Sequence, residues 1–369
     1  MITYPLAKPY IDAEDKKGVL EVLNSGKLSL GPKYLQFEKD ISVYTGAKYA
    51  CAVSNGTCGL HLAVRALGLR KGDEVITTPF SFVASSNCLL YERIKPIFVD
   101  IENQTFNIDS ERIEDAITKK TKAILVVHVF GQSANMGRII QIAKKYNLHI
   151  IEDAAESFSS KYNGRHSGTI GDVGVYAFYP NKQMTTGEGG MIVTKSSKIY
   201  DLCKSMRNQG RNTGEDWLVH ERLGYNYRMD EMSASLGITQ LKKLDWMNEK
   251  KQEIIRWYRE GLSGLKTVVV PKLGFKSESF LFVYVVRIVK GDRNRVVNAL
   301  AKKGIQTKPY FPVIHLQPYM KKMFGYKRGD FPVAELVATQ TLALPFYIGL
   351  SKQDVAYISR EIRKALEGF

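Results

Sequence analysis

The sequence predicts an α/β protein, with a mainly parallel sheet covered by helices on both faces and a smaller C-terminal α+β domain. Three observations carry this. Short apolar runs alternate with stretches whose apolar positions recur at helical spacing. Those runs stop at glycine-rich or polar turns. Beyond residue 229 the alternation gives way to long charged helical segments. Strands that alternate with helices are joined by crossovers, and crossovers make parallel pairs.

The first strand reads over residues 47–53 and stops at Ser54-Asn55-Gly56. Leu60, Ala63, Val64 and Leu67 then fall at i, i+3, i+4 and i+7, one face of a helix. Residues 68–73 break that helix, and 74–77 resume as a strand. Further strands read over 96–99, 123–129, 148–152, 173–178 and 191–194, with a helix at 139–146. Residues 229–265 read as one or two long helices rich in Lys and Glu. An apolar run within 279–289 follows, then helices at 293–303 and 351–366. The expected boundary lies near residue 245, giving a large domain of residues 1–245 and a small one of 246–369.

Composition narrows the class. With 369 residues, 44% hydrophobic and 24% charged, the chain can bury a large core, which excludes disorder. Its longest apolar runs, 123–129 and 281–286, fall short of the ~20 residues of a membrane span. Met1-Ile2-Thr3-Tyr4-Pro5-Leu6 shows no basic region leading into an apolar core, so a cytoplasmic protein is expected. Cys51, Cys58, Cys88 and Cys203 lie far apart without CxxC spacing, which argues against a disulfide framework and a zinc site. The 53 basic and 37 acidic residues leave a net charge of +16. These charges are spread along the whole chain with no basic arm or finger spacing, so neither nucleic acid nor membrane is expected as a partner. A basic surface also suits an anionic small substrate.

Three segments carry candidate chemistry. Ser54-Asn55-Gly56-Thr57 leads from a strand into a helix, with Thr57 at a capping position. Free N–H groups and the helix dipole there favour an anion, so the segment reads as a phosphate cradle or as an ordinary N-cap. Its spacing matches neither the Walker pattern nor GxGxxG. Asp153 ends an apolar strand, where a carboxylate needs a cation or hydrogen-bond donors; a structural cap is the alternative. Lys182 lies in Tyr179-Pro180-Asn181-Lys182-Gln183-Met184-Thr185-Thr186-Gly187-Glu188-Gly189-Gly190, a constrained loop of the kind a lysine nucleophile requires. Together they match the needs of pyridoxal 5′-phosphate: a Schiff-base lysine, an acidic partner for the ring nitrogen and an anion site.

The ordered motifs resemble the DegT/DnrJ/EryC1/StrS family of sugar aminotransferases over nearly the whole chain. The resemblance runs through Ser25-Gly26-Lys27-Leu28-Ser29-Leu30-Gly31-Pro32, Ser54-Asn55-Gly56-Thr57 and Pro79-Phe80-Ser81-Phe82-Val83-Ala84-Ser85-Ser86-Asn87. It continues in His128-Val129-Phe130-Gly131-Gln132, Glu152-Asp153-Ala154-Ala155-Glu156 and the Lys182 loop. Gly224-Tyr225-Asn226-Tyr227-Arg228-Met229, Tyr310-Phe311-Pro312 and His315-Leu316-Gln317-Pro318 complete it. The resemblance implies fold type I, pyridoxal phosphate as cofactor and pyridoxamine phosphate as the form that carries the amino group.

Residue by residue, the resemblance implies that Lys182 is the Schiff-base lysine and Asp153 the partner of the ring nitrogen. It implies that Phe82 stacks on the cofactor, that Gly56 and Thr57 hold the phosphate, and that Glu156 lies beside the ring. Asn226 matches an asparagine that reaches the phosphate of the neighbouring subunit, which implies a homodimer with shared active sites; a loop asparagine satisfying local backbone is the alternative. The family often has a serine five residues before the lysine, as a phosphate ligand; here it is Ala177, and Asn181 is expected to supply the missing hydrogen bond. The implied reaction moves an amino group from an amino acid, L-glutamate by analogy, to a nucleotide-diphosphate keto sugar. Amination of a cyclitol or aminoshikimate-type ketone is a second reading. Sugar dehydration is disfavoured because the related 3-dehydratases lack the lysine, and a nucleic-acid-binding regulator has no recognition helix behind it. Loops around Ser29, after Arg207 and from Tyr310 to His315 are expected to shape sugar choice; His315 reads as a substrate contact or a structural donor, and Arg228 as holding a carboxylate or phosphate or only a surface acid.

Overall fold

The computed structural model describes residues 3–211, 218–272 and 277–367. Two helices come first, α1 (Ala13–Ser25) and α2 (Pro32–Thr45). Asp12 and Asp15 form a capping box that starts α1, and Gly26, at φ 68°, ends it in the left-handed conformation that glycine adopts without strain. The central sheet then builds from β1 (Tyr49–Val53), β2 (Glu74–Thr77), β3 (Lys95–Phe98), β4 (Thr121–Val127), β5 (His149–Asp153), β6 (Val173–Ala177) and β7 (Gly190–Thr194). Between them lie α3 (Gly56–Ala66), α4 (Ala84–Leu90) and α5 (Met136–Tyr146), and α6 (Ser197–Met206) follows β7.

The strand order is β1-β7-β6-β5-β4-β2-β3. Four neighbouring pairs are parallel: β2 with β3, β2 with β4, β4 with β5 and β5 with β6. The pairs β6–β7 and β1–β7 are antiparallel. The expected mainly parallel sheet is therefore present, with an antiparallel edge. Alternate residues of each strand serve opposite faces. Cys51 and Val53 pack in one core with Leu60, Leu62 and Ala63 of α3 and with Cys203 of α6. Ala50 and Ala52 join Phe37 and Ile41 of α2 in another, and Ile124 and Val126 join Ile139 and Ile142 of α5 in a third. Helices thus cover both faces.

The long helical stretch is two helices, α7 (Glu231–Lys242) and α8 (Leu244–Gly261). Residue 245 falls in the first turn of α8. A three-stranded antiparallel sheet follows, β8 (Val268–Val269), β9 (Tyr284–Ile288) and β10 (Thr341–Leu344), in the order β8-β9-β10. Around it are α9 (Arg293–Lys302), α11 (Pro332–Gln340) and α12 (Lys352–Leu366), while α10 (Pro318–Phe324) packs Met320 against Phe98 of β3. Tyr284 and Val286 pack with Tyr258 of α8, Leu300 of α9 and Ile358 of α12, while Val283 and Val285 face the core of the large sheet. The N-terminal segment joins this smaller unit: Tyr4 bridges Ile305, and the Phe346 N–H donates to the Leu6 carbonyl. No helix among the described residues is long and apolar enough to cross a membrane.

Candidate active site

The carboxyl ends of β1, β4, β5 and β6 open onto one cavity of about 730 Å³, lined also by Phe282, Tyr310 and Phe311. Ligands of open α/β sheets gather at this end because the loops there are free to diverge. Gly56, Thr57, Phe82, Asp153, Glu156, Asn181 and Lys182 all line it, brought together from four separate stretches of chain.

One wall is the start of α3. Asn55, not Thr57, is the N-cap: its side chain accepts the Cys58 N–H at 2.9 Å. Gly56 and Thr57 are therefore the first two helical residues, and their N–H groups belong to the unsatisfied set at a helix start. A side chain on Gly56 would place its Cβ 2.8 Å from that of Ala177, and one on Gly190 would lie 2.7 Å from the Asn55 carbonyl. Two glycines thus allow β6 and β7 to press against the helix N-terminus.

Asp153 ends β5 with its carboxylate buried, and no cation among the described residues pairs with it. Its Oδ2 accepts from Ser85 Oγ at 2.7 Å, and its Oδ1 accepts from the Ala155 N–H at 3.2 Å. Burial pushes this carboxyl up, against the pull of those donors and of Lys182. The preceding Glu152 points to the other face, where it accepts from His128 Nε2 at 2.9 Å and from the N–H groups of Gly168, Ile170 and Gly171. His128 Nδ1 accepts from the Ala134 N–H, so the proton sits on Nε2.

Lys182 enters from the loop between β6 and β7. Its Nζ lies 3.6 Å from Glu156 Oε1 and 4.3 Å from the centre of the Phe282 ring. Glu156 also accepts the Phe130 N–H at 2.8 Å; burial raises its carboxyl, opposed by Lys182. Gln183 pins the loop by donating to the carbonyls of Glu156 and Phe280. Lys251 of α8, buried and pushed down to about 8 by that burial, donates to the Lys182 carbonyl at 3.4 Å. Asn181 donates to the Tyr310 hydroxyl at 3.5 Å and keeps a buried, unpartnered Oδ1 at the cavity wall.

Other expectations fall elsewhere. Asn226 is exposed and does not line the cavity; it bridges Asn208, while its neighbour Tyr227 does line the cavity. His315 is fully buried against Phe331 with its Nε2 3.0 Å from Glu335, which is the structural of its two expected roles. Arg228 donates to Asn208 and Gln209 and does not line the cavity. Ser29 is exposed and outside the lining; of the loop after Arg207, residues 212–217 lie outside the described residues. Sequence reasoning missed Ser85, Tyr227, Phe282 and Lys251, whose partners are distant in the chain.

The residues present fit pyridoxal phosphate. The cavity falls in the range of about 300–1,000 Å³ usual for small-molecule sites. It holds one amine, one buried and unpaired carboxylate, a helix N-terminus and an exposed aromatic ring, Phe82.

Residues 9–363 match the DegT/DnrJ/EryC1/StrS aminotransferase family. The chain is 37% identical to the GDP-perosamine synthase of Escherichia coli O157:H7 over 361 residues, covering 98% of each protein. Its fold superposes on Helicobacter pylori PseC, an aminotransferase involved in pseudoaminic acid biosynthesis, with a TM-score of 0.93, 28% identity and coverage of 99% and 100% of the two chains. It superposes equally, at 0.93 with 26% identity and 98% of both chains covered, on the pyridoxal-phosphate form of Spr1654, a candidate sugar aminotransferase of Streptococcus pneumoniae. The chain belongs to the DegT/DnrJ/EryC1/StrS aminotransferase family: it is a sugar aminotransferase of fold type I, with pyridoxal phosphate as its cofactor.

Proposed function

We propose, on the premise of that membership, that the protein aminates a nucleotide-diphosphate keto sugar with L-glutamate as donor, and that Lys182 both holds the cofactor covalently and moves the reacting proton. The observation that carries this reading is the meeting of the Lys182 amine, the buried Asp153 carboxylate and the start of α3 on one cavity. Similarity to a GDP-perosamine synthase supports a nucleotide-linked substrate. The net charge of +16 favours encounter with such an anion.

When bound, pyridoxal phosphate supplies an aldehyde that condenses with amines and a protonated ring that withdraws electrons from the donor Cα. The chain's residues provide the rest. Asp153, held by Ser85 and Ala155, keeps a proton on the ring nitrogen. The N–H groups of Gly56 and Thr57 would hold the phosphate, and Phe82 would offer its ring to the cofactor's. Freed by the incoming donor, the Lys182 amine would serve as the base that takes the proton from the donor Cα and as the acid that gives it back. Glu156, 3.6 Å from that amine, holds it in place. In the second half-reaction the same amine returns the proton to the sugar carbon. Asn226, exposed and outside its own cavity, is assigned to the phosphate of a neighbouring subunit in a homodimer.

The test is an absorption spectrum of the purified protein before and after L-glutamate. A visible band of Lys182-linked cofactor that converts to pyridoxamine phosphate is the expected result. A band that does not respond would reject glutamate as donor, and no band after added pyridoxal phosphate would reject the site. Asn181 is also tested. If it replaces the family's serine, Ala177→Ser should tighten cofactor binding less than about threefold in equilibrium dialysis. A gain of roughly tenfold, the worth of one charge-assisted hydrogen bond, would mean that nothing compensates.

A further inference from the structure

A polar cluster behind the phosphate cradle is unused by this chemistry. His61, buried on α3, has both ring nitrogens engaged: Nε2 lies 2.8 Å from Glu92 Oε1 and Nδ1 lies 3.2 Å from the Tyr227 hydroxyl. Arg65, one turn further along α3, donates to both Glu92 oxygens at 2.9 Å. An ionised Glu92 can only accept, so Nε2 carries the proton, Nδ1 accepts, and the Tyr227 hydroxyl donates. Burial keeps His61 below its ordinary value, in the neutral form this tautomer needs.

Tyr227 and Tyr225 stack with ring centres 4.8 Å apart and planes within 13°. The Tyr225 ring also packs against His61 at 4.9 Å and lies under the Arg65 guanidinium at 5.6 Å. The backbone between them is paired on both sides. Tyr225 and Tyr227 N–H groups donate to the Met206 and Arg207 carbonyls, and the Ser54 N–H donates to the Tyr227 carbonyl. In such an extended segment, side chains two apart share a face and the one between them takes the opposite face. Holding the two tyrosines against α3 therefore turns Asn226 outward, which is where it stands.

We propose that His61, braced by Glu92 and Arg65, is a positioning residue that locks the Tyr225–Tyr227 pair and so presents Asn226 to the neighbouring subunit's cofactor phosphate. This rests on the reading that Asn226 acts across the dimer. The helix whose N-terminus cradles one subunit's phosphate then also carries the mount for the residue that completes the other site.

The test uses isolated mixed dimers in which one chain carries Lys182→Ala, so that the visible band of lysine-linked cofactor reports only the other chain's site. Titration with pyridoxal phosphate gives that site's affinity without any turnover. Asn226→Ala, placed on either chain, first checks the premise: it should weaken binding only from the Lys182→Ala chain. His61→Leu should then weaken binding about fivefold from the Lys182→Ala chain and less than about twofold from the lysine-bearing chain. Tyr227→Phe, which removes only the hydroxyl, should show the same asymmetry, and it keeps the test open if His61→Leu does not fold. Equal losses from either chain would overturn the positioning role while leaving the Asn226 reading intact. An Asn226→Ala effect that follows the lysine-bearing chain would overturn both.

Discussion

Lys182→Ala is expected to abolish transamination, by about four orders of magnitude or more, in a protein that still folds. Two roles vanish together: the covalent hold on the cofactor, and the base that moves the Cα proton, itself worth about 10²–10⁴. The fold should survive because the side chain makes one ion pair, with Glu156, and one ring contact, with Phe282. Steady-state turnover of donor and sugar checks the loss, and thermal unfolding of the cofactor-free protein checks the fold. Lys182→Arg sharpens the result. Arginine keeps a cation beside Glu156 but stays protonated at any working pH, so it can neither attack an aldehyde nor accept a proton. If either variant kept more than about a hundredth of wild-type turnover, general-base catalysis by Lys182 would be untenable.

The second large effect is expected at Asp153. Asp153→Asn keeps the shape of the side chain and, because the Ser85 hydroxyl can rotate, keeps a partner there. What it removes is the negative charge that holds a proton on the ring nitrogen. A neighbouring carboxylate shifts such a site by one to three pKa units, so transamination should fall by up to about 10³-fold. Turnover within threefold of wild type would show that ring protonation does not depend on this residue. Stability should move the other way in the cofactor-free protein. Burial raises the Asp153 carboxyl above its unfolded value, so its contribution to stability is present at acid pH and is lost as pH rises through the folded value. At neutral pH the ionised group is then a cost, and Asp153→Asn should unfold at the same or a higher temperature than the native chain.

Much of the fold was legible because strands and helices write their period locally. The expected strand at 74–77 is β2, and the expected helix at 139–146 is the core of α5, which runs from Met136 to Tyr146. β10 was not read: Thr341–Leu344 follows α11 directly after Gln340, with no glycine-rich turn between them to mark a new element, whereas β2 follows the break at residues 68–73. The antiparallel edge was equally hidden. β1 pairs with β7 through partners such as Tyr49 and Thr194, and nothing near either residue announces the other. The stretch at 229–265 read only as one or two long helices rich in Lys and Glu, yet α8 buries Lys251 against the Lys182 loop.

The sequence by itself determined the alternation of strand and helix through residues 47–194, a helix opening beside Ser54-Asn55-Gly56-Thr57, and the residue types that one cofactor demands, because each of these is a local property of backbone and side chain. Only the tertiary structure decided which of those residues share a cavity. It placed Ser85 on Asp153 across 68 positions and Glu156 beside Lys182, and it buried His315 away from the site. It also turned Asn226 outward from a clamp on its own α3. The reason is that burial and long-range hydrogen bonding belong to the packed chain as a whole: a side chain's chemistry is written in the sequence, but its neighbours and its dielectric are set by packing.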